Sequence, residues 1–159
     1  MDIQKATELA VSLMEHHGLF LKGYRFEWDN AKRRFGSCSY TNKIISMSRP
    51  LAILRAEENV RNTILHEIAH ALCPDSGHGR EWKLMAMAVG ARPVRCGNAA
   101  AEGVAIKGKW TGICPAGHTV SRFRQPKRLI SCAQCAPYFS KNHLFTWQTA
   151  GQITDVESV

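Results

Sequence analysis

The sequence predicts an α+β protein in two parts: helices packed on a small antiparallel sheet, followed by a small β module held together by a metal. Three observations carry this expectation. Apolar residues recur at helical spacing in residues 3–14, 60–71 and 82–89. Strand-like alternation occupies the stretch between the first two helices, and close pairs of Cys and His appear beyond residue 113. At 159 residues the chain can hold one modest core with a metal-stapled appendage.

Asp2 is placed to cap a first helix in which Ile3, Ala6, Ala10, Leu13 and Met14 share a face, and Gly18 stops it. This helix is expected to pack on the sheet. His16 and His17 read as exposed helix-end residues. Tyr24, Phe26 and Trp28 then alternate with Arg25 and Glu27, and Asp29-Asn30 supplies a turn. Strands over 35–40 and 43–48 complete an antiparallel meander, with Lys32-Arg33-Arg34 at a charged hairpin tip. An open edge of such a sheet suits strand addition by an extended peptide, although the sequence does not say which edge is open.

The most informative segment is Leu65-His66-Glu67-Ile68-Ala69-His70-Ala71. An acidic first turn, Glu57-Glu58-Asn59, suits the helix dipole, and Val60, Ile64, Ile68 and Ala71 form one apolar stripe. On helical angles the stripe faces away from His66 and His70, so the helix can bury one side and present the motif on the other. Cys73-Pro74-Asp75-Ser76-Gly77 ends it. Histidines four apart lie about 40° from each other around a helix, so both imidazoles can reach one metal. Glu67 sits between them as a carboxylate able to take a proton from an attacking water and return it to a leaving amine. Two histidines on the wet face of an ordinary amphipathic helix would be the bland alternative.

A catalytic zinc takes three protein ligands and keeps an open position, so a third ligand should follow the helix. His78, between Gly77 and Gly79, is preferred, and Glu81 and Asp75 compete with it. Cys73, one turn beyond His70, is a weaker competitor. A second amphipathic helix is expected over 80–89, with Trp82, Met85 and Val89 as core behind the metal site. For the donor to the developing oxyanion the sequence offers only Arg80 or a backbone amide as a guess.

The chain changes character near Gly90-Ala91-Arg92-Pro93, and the domain reading places a first domain at 1–97, a linker at 98–106, a ribbon-like module at 107–148 and a polar tail at 149–159. Within the module, Cys114 with His118 and Cys132 with Cys135 form two ligand pairs separated by thirteen residues. Four ligands close the shell of a structural zinc, whose binding energy would support so short a segment. His118 departs from the all-cysteine form, and His143 is the fallback. Cys38, Cys73 and Cys96 are left as free thiols, which usually behave as small buried hydrophobes.

Charge is the other signal. The formal net charge is +8, and residues 103–154 carry seven Lys and Arg with no acidic residue. Lys107, Lys109 and Trp110, then Arg122, Phe123, Arg124, Lys127 and Arg128, mix phosphate-binding charge with rings able to stack on bases, a combination compatible with a nucleic-acid surface. A solvated basic face is the alternative. No apolar run approaches the ~20 residues of a membrane span, and the N-terminus reads as a helix, so a monomeric intracellular protein is expected, cytoplasmic or nucleoid-associated and of bacterial or viral origin, with no membrane role.

The run 63–71, the downstream Gly77-His78-Gly79 and Trp82-Lys83, and the upstream Arg34-Phe35-Gly36-Ser37-Cys38 and Ile44-Ile45-Ser46-Met47-Ser48 resemble the SprT-like metalloprotease domain, the group that includes Spartan proteases acting on DNA-protein crosslinks. The resemblance spans about residues 24–147. It implies a zincin-like fold with a zinc-ribbon-like module, two zinc ions, His66, His70 and His78 on the catalytic zinc, and Glu67 as general base. It also implies single-stranded or junction DNA as a partner of the basic module, and protein substrates trapped on DNA. Two other classes remain open: a catalytically inactive DNA-binding zinc protein, and a DNA-independent peptidase regulated by a protein partner.

Overall fold

The structure is a computed structural model and describes residues 1–95, 103, 104 and 106–149. It divides into two compact units, Met1–Ile106 and Lys107–Val159. Cys96, most of the linker placed at 98–106 and all but Thr149 of the polar tail lie outside the described residues.

The first unit opens with α1 (Ile3–His16), where the Asp2 carboxylate accepts from the Lys5 backbone N–H and Ala6, Ala10 and Met14 are buried at successive turns. Gly18, at φ 66°, closes the helix end. As expected, α1 shares a core with the sheet, its Ala6, Ala10 and Met14 clustering with Ile45 and Met47 and its Thr7 Oγ1 accepting from Trp28 Nε1 at 3.0 Å, and it packs on the helix α3 (Glu57–Leu72) as well.

Three strands follow: β1 (Arg25–Asp29), β2 (Gly36–Ser39) and β3 (Ile44–Ser48). The α+β class stands, but the sheet is mixed rather than an antiparallel meander. Its order is β1-β3-β2, with β1 parallel to β3 and β2 antiparallel to it. Burial explains the order. Ile45, Ser46, Met47 and Ser48 are all buried, so β3 is covered on both faces and takes the centre, while the half-exposed β1 and β2 tolerate the edges. Both buried hydroxyls are satisfied, Ser46 donating to Asp29 and Ser48 to the Ala31 carbonyl. Lys32-Arg33-Arg34 therefore lies on a connection between strands that do not pair, and is no hairpin tip. A short helix α2 (Arg49–Ala52), too short to show a helical period in the sequence, is started by the Ser48 hydroxyl accepting from Leu51 N–H.

In α3 the expected stripe of Val60, Ile64, Ile68 and Ala71 is buried, and the motif face is covered too: every residue from Thr63 to Ala69 is buried. The covering elements are β2 and α4 (Arg80–Ala88). Burial of Val60, Ile64 and Ile68 stabilises by roughly 1.5–3 kcal/mol each, which offsets the cost of placing polar side chains in the same helix. Trp82 and Ala86 anchor α4 at zero exposure, with Val89 buried and Met85 packed at the margin of the core.

The second unit is a sheet of β4 (Trp110–Ile113), β5 (Thr119–Arg122) and β6 (Thr146–Thr149), antiparallel throughout in the order β5-β4-β6. Gly112 pairs with Trp147, and a Cβ at Gly112 would lie 2.9 Å from that indole. A glycine is needed there so that the ring can cover the strand. Among the described residues no helix is long and apolar enough to cross a membrane.

Candidate metal centres and active site

Helix α3 carries His66 and His70 one turn apart, and the turn after it returns His78 to the same point. Asp75 and Gly77 make this return possible by adopting φ of 64° and 54°. The three Nε2 atoms form a nearly equilateral triangle: 3.2 Å between His66 and His70, 3.1 Å from His78 to each. Zinc–nitrogen bonds of about 2.0–2.1 Å would set tetrahedral N···N edges near 3.3–3.4 Å, so the donor set fits a tetrahedral metal with one position left over. Imidazolium rings could not crowd in this way. Burial, then the neighbouring His70 and His78, holds His66 down to about 3, and burial, then His78, holds His70 down to about 4. His78 is lowered by burial, then by Arg95.

The indole of Trp82 packs against all three imidazoles, with ring centroids 4.6, 5.1 and 4.5 Å from His66, His70 and His78. The residue expected as core behind the histidines is thus their common floor. His66 Nδ1 and Trp82 Nε1 are buried without a hydrogen-bond partner. A ring that carries its hydrogen on Nδ1 leaves its Nε2 lone pair for a metal, and His66 Nε2 is the atom inside the triangle. Glu81 and Asp75, the competing ligands, are exposed and lie outside the cluster, as does Cys73. Arg80 is exposed at the start of α4.

Glu67 is 7% exposed, and burial pushes its carboxyl up to about 8 against the lowering effect of Arg34. The wall beside it is backbone. A Cβ at Gly36 would stand 3.0 Å from both Cγ and Oε1 of Glu67. Tyr40, just beyond β2, places its hydroxyl 3.4 Å from His70 Nδ1. Neither Gly36 nor Tyr40 is marked as part of the site by the sequence, because no spacing rule links them to α3.

In the second unit, Cys114, His118, Cys132 and Cys135 offer four ligand atoms within 4.8 Å of one another. Two turns bring them together: Gly117, at φ 82°, bonds back to the Cys114 carbonyl, and Cys135 bonds back to that of Cys132. Cys114 and Cys135 sulfurs are 3.7 Å apart, and His118 Nδ1 lies 3.6, 3.6 and 3.3 Å from the sulfurs of Cys114, Cys132 and Cys135. Such separations exceed a disulfide's S–S length of about 2.05 Å. They approach the edges, about 3.8 Å for S···S and 3.5 Å for S···N, of a tetrahedron with zinc–sulfur bonds near 2.3 Å. Cys114 and Cys132 are buried, so this shell is closed. His143 is outside it, its Nδ1 3.0 Å from Ser140 Oγ.

The basic candidates come together in part. Trp110 and Arg122 are directly opposed across β4 and β5, with exposed Lys107 and Lys109 leading into β4 and Phe123 and Arg124 leading out of β5. Exposed Lys127 and Arg128 follow on the connection toward Cys132.

Among solved structures the chain is similar to the crystal structure of the metallopeptidase zymogen of Pyrococcus abyssi abylysin, at 19% identity and a TM-score of 0.40, over 60% of this chain and 87% of that one. No curated protein matches it. The model of the SprT-like family matches residues 10–102, a stretch that contains α3, the returning His78 and the strand beside Glu67. It covers more than half of the sequence, and the chain belongs to the SprT-like family.

Proposed function

We propose that the protein is a zinc-dependent endopeptidase in which His66, His70 and His78 hold the catalytic metal and Glu67 is the general base. The observation that carries this reading is the buried carboxylate of Glu67 between two helical imidazoles whose Nε2 atoms meet a third within 3.2 Å. A structural metal needs no such neighbour. Bound zinc supplies Lewis acidity toward the scissile carbonyl and the attacking water. Glu67 takes the proton of that water, keeps it in a site shielded from solvent, and passes it to the leaving amine. Of the two sheet edges, β2 is the one that runs past Glu67, so an extended substrate adding to β2 would lie along the site.

The second zinc, on Cys114, His118, Cys132 and Cys135, is structural in this reading. Its module holds single-stranded or junction DNA through Lys107, Lys109, Trp110, Arg122, Phe123, Arg124, Lys127 and Arg128, so that the substrates are proteins bound or crosslinked to DNA. Support comes from the acid-free basic stretch and from the pairing of Trp110 with Arg122. We place the enzyme inside the cell, in the cytoplasm or on the nucleoid, as a monomer.

Metal analysis followed by casein and self-cleavage assays, with and without single-stranded DNA, tests the whole reading. Two zinc ions and DNA-stimulated cleavage are expected. Neutralising Arg122, Arg124, Lys127 and Arg128 together should weaken DNA binding and flatten its salt dependence, by about 0.7 to 0.9 in the log-log slope for each phosphate no longer neutralised. Cleavage of a short untethered peptide should change far less. Zinc-loaded protein without proteolysis would favour the inactive DNA-binding alternative, and cleavage indifferent to DNA would favour the partner-regulated peptidase.

A further inference from the structure

The Glu67 carboxylate has a backbone wall on one side, and that wall is unusually well fixed. A Cβ at Gly36 would meet Glu67 Cγ and Oε1 at 3.0 Å and the Ser46 carbonyl at 3.1 Å, so position 36 has no room for even a methyl group unless Glu67 moves. The neighbours of Gly36 are tied on both sides. Phe35 accepts from the Ser48 backbone N–H at 2.8 Å, and the Ser37 hydroxyl donates to Ser46 Oγ at 2.9 Å. Ser46 in turn donates to Asp29 Oδ2 at 2.8 Å, and Arg34 Nη1 donates to the same oxygen at 2.7 Å. Asp29 itself is fixed by the Ala31 N–H on Oδ1, at 2.8 Å. One carboxylate at the end of β1 therefore holds Arg34 on one side of Gly36 and, through Ser46, Ser37 on the other. These bonds hold the wall, so bulk added at position 36 is expected to be taken up by Glu67, which must give by a few tenths of an ångström.

We propose that Gly36, clamped through Asp29, is a positioning element that sets where the Glu67 carboxylate stands. It touches neither metal nor substrate. Its absent side chain and fixed backbone define the volume in which Glu67 can lie, and a general base must hold its place to within tenths of an ångström to transfer a proton efficiently. The inference rests on the peptidase reading only for its kinetic readout.

The test is Gly36→Ala in the full-length, zinc-loaded protein, compared with wild type by metal analysis, thermal melting, steady-state peptide cleavage and a crystal structure. We expect full zinc content, a melting temperature lowered by several degrees with the protein still folded at the assay temperature, KM within about twofold, and kcat lower by about tenfold or more. The crystal structure should show Glu67 displaced by several tenths of an ångström with the three imidazoles in place. Wild-type kcat in Gly36→Ala, an unmoved Glu67, or a fall in activity that merely tracks lost zinc or lost folded protein overturns the proposal. Should Gly36→Ala fail to fold, Asp29→Asn decides: a kcat lowered about threefold at full zinc content supports the clamp, and an unchanged kcat overturns it. If wild type cleaves nothing, the peptidase reading fails on its own, and the position of Glu67 in the Gly36→Ala crystal still decides this one.

Discussion

The Tyr40 hydroxyl stands 3.4 Å from Nδ1 of His70, the ring nitrogen on the far side from the Nε2 that joins the histidine triangle. When Nε2 gives its lone pair to a metal, Nδ1 must carry the ring hydrogen, and Tyr40 is then its acceptor. The bond is long, so its contribution is modest.

Tyr40→Phe should therefore loosen zinc without abolishing its binding. The expected loss is up to about tenfold in affinity, read as faster transfer of the first-unit zinc to a chelator. Identical release kinetics would show that Tyr40 only packs beside the ring.

Replacing Glu67 by Gln should leave both metals and the melting temperature close to wild type while lowering kcat by about 10²–10⁴. His70→Ala should lose the catalytic metal as well. Wild-type cleavage by Glu67→Gln would remove Glu67 from the chemistry.

Burial, and after it the negative charge of Glu67, pushes the Cys38 thiol up to about 12. Since the thiolate is the reactive species, Cys38 in the folded protein should resist iodoacetamide at pH 8 and should label fully after denaturation. Mass spectrometry of the labelled peptides reads this directly. Labelling of native Cys38 at the rate of a free thiol would mean that its burial does not suppress the thiolate.

The two units should respond differently to loss of metal. Residues 107–149 bury few large apolar side chains, and their sheet converges on the four-ligand cluster, so Cys132→Ser or exhaustive chelation should unfold them. Met1–Ile106 has its own apolar core and should persist. Limited proteolysis after chelation should leave a resistant N-terminal fragment of roughly that size. Equal protection of both halves would overturn the assignment of a structural metal to the second unit.

What the sequence by itself determined is whatever local periodicity encodes. The Asp2 cap, the stripe in α3 and the recurrence of Trp82 in α4 follow from 3.6-residue spacing, and His66, Glu67 and His70 are legible as a set because one helix turn separates them. The pairs Cys114/His118 and Cys132/Cys135 are legible for a similar reason, since each closes within a single tight turn. Only the tertiary structure decided what depends on residues distant in sequence. The position of β3 between β1 and β2 follows from burial on both faces of one strand, which alternation alone does not disclose. His78 joins the triangle, and Glu81 and Asp75 do not, because of the path taken by a seven-residue turn whose left-handed residues reverse the chain. Gly36 and Tyr40 reach Glu67 and His70 across about thirty residues of sequence, because the sheet lays β2 against α3. A motif names the side chains that do chemistry, but the groups that hold them in place are chosen by packing, and packing has no period in the sequence.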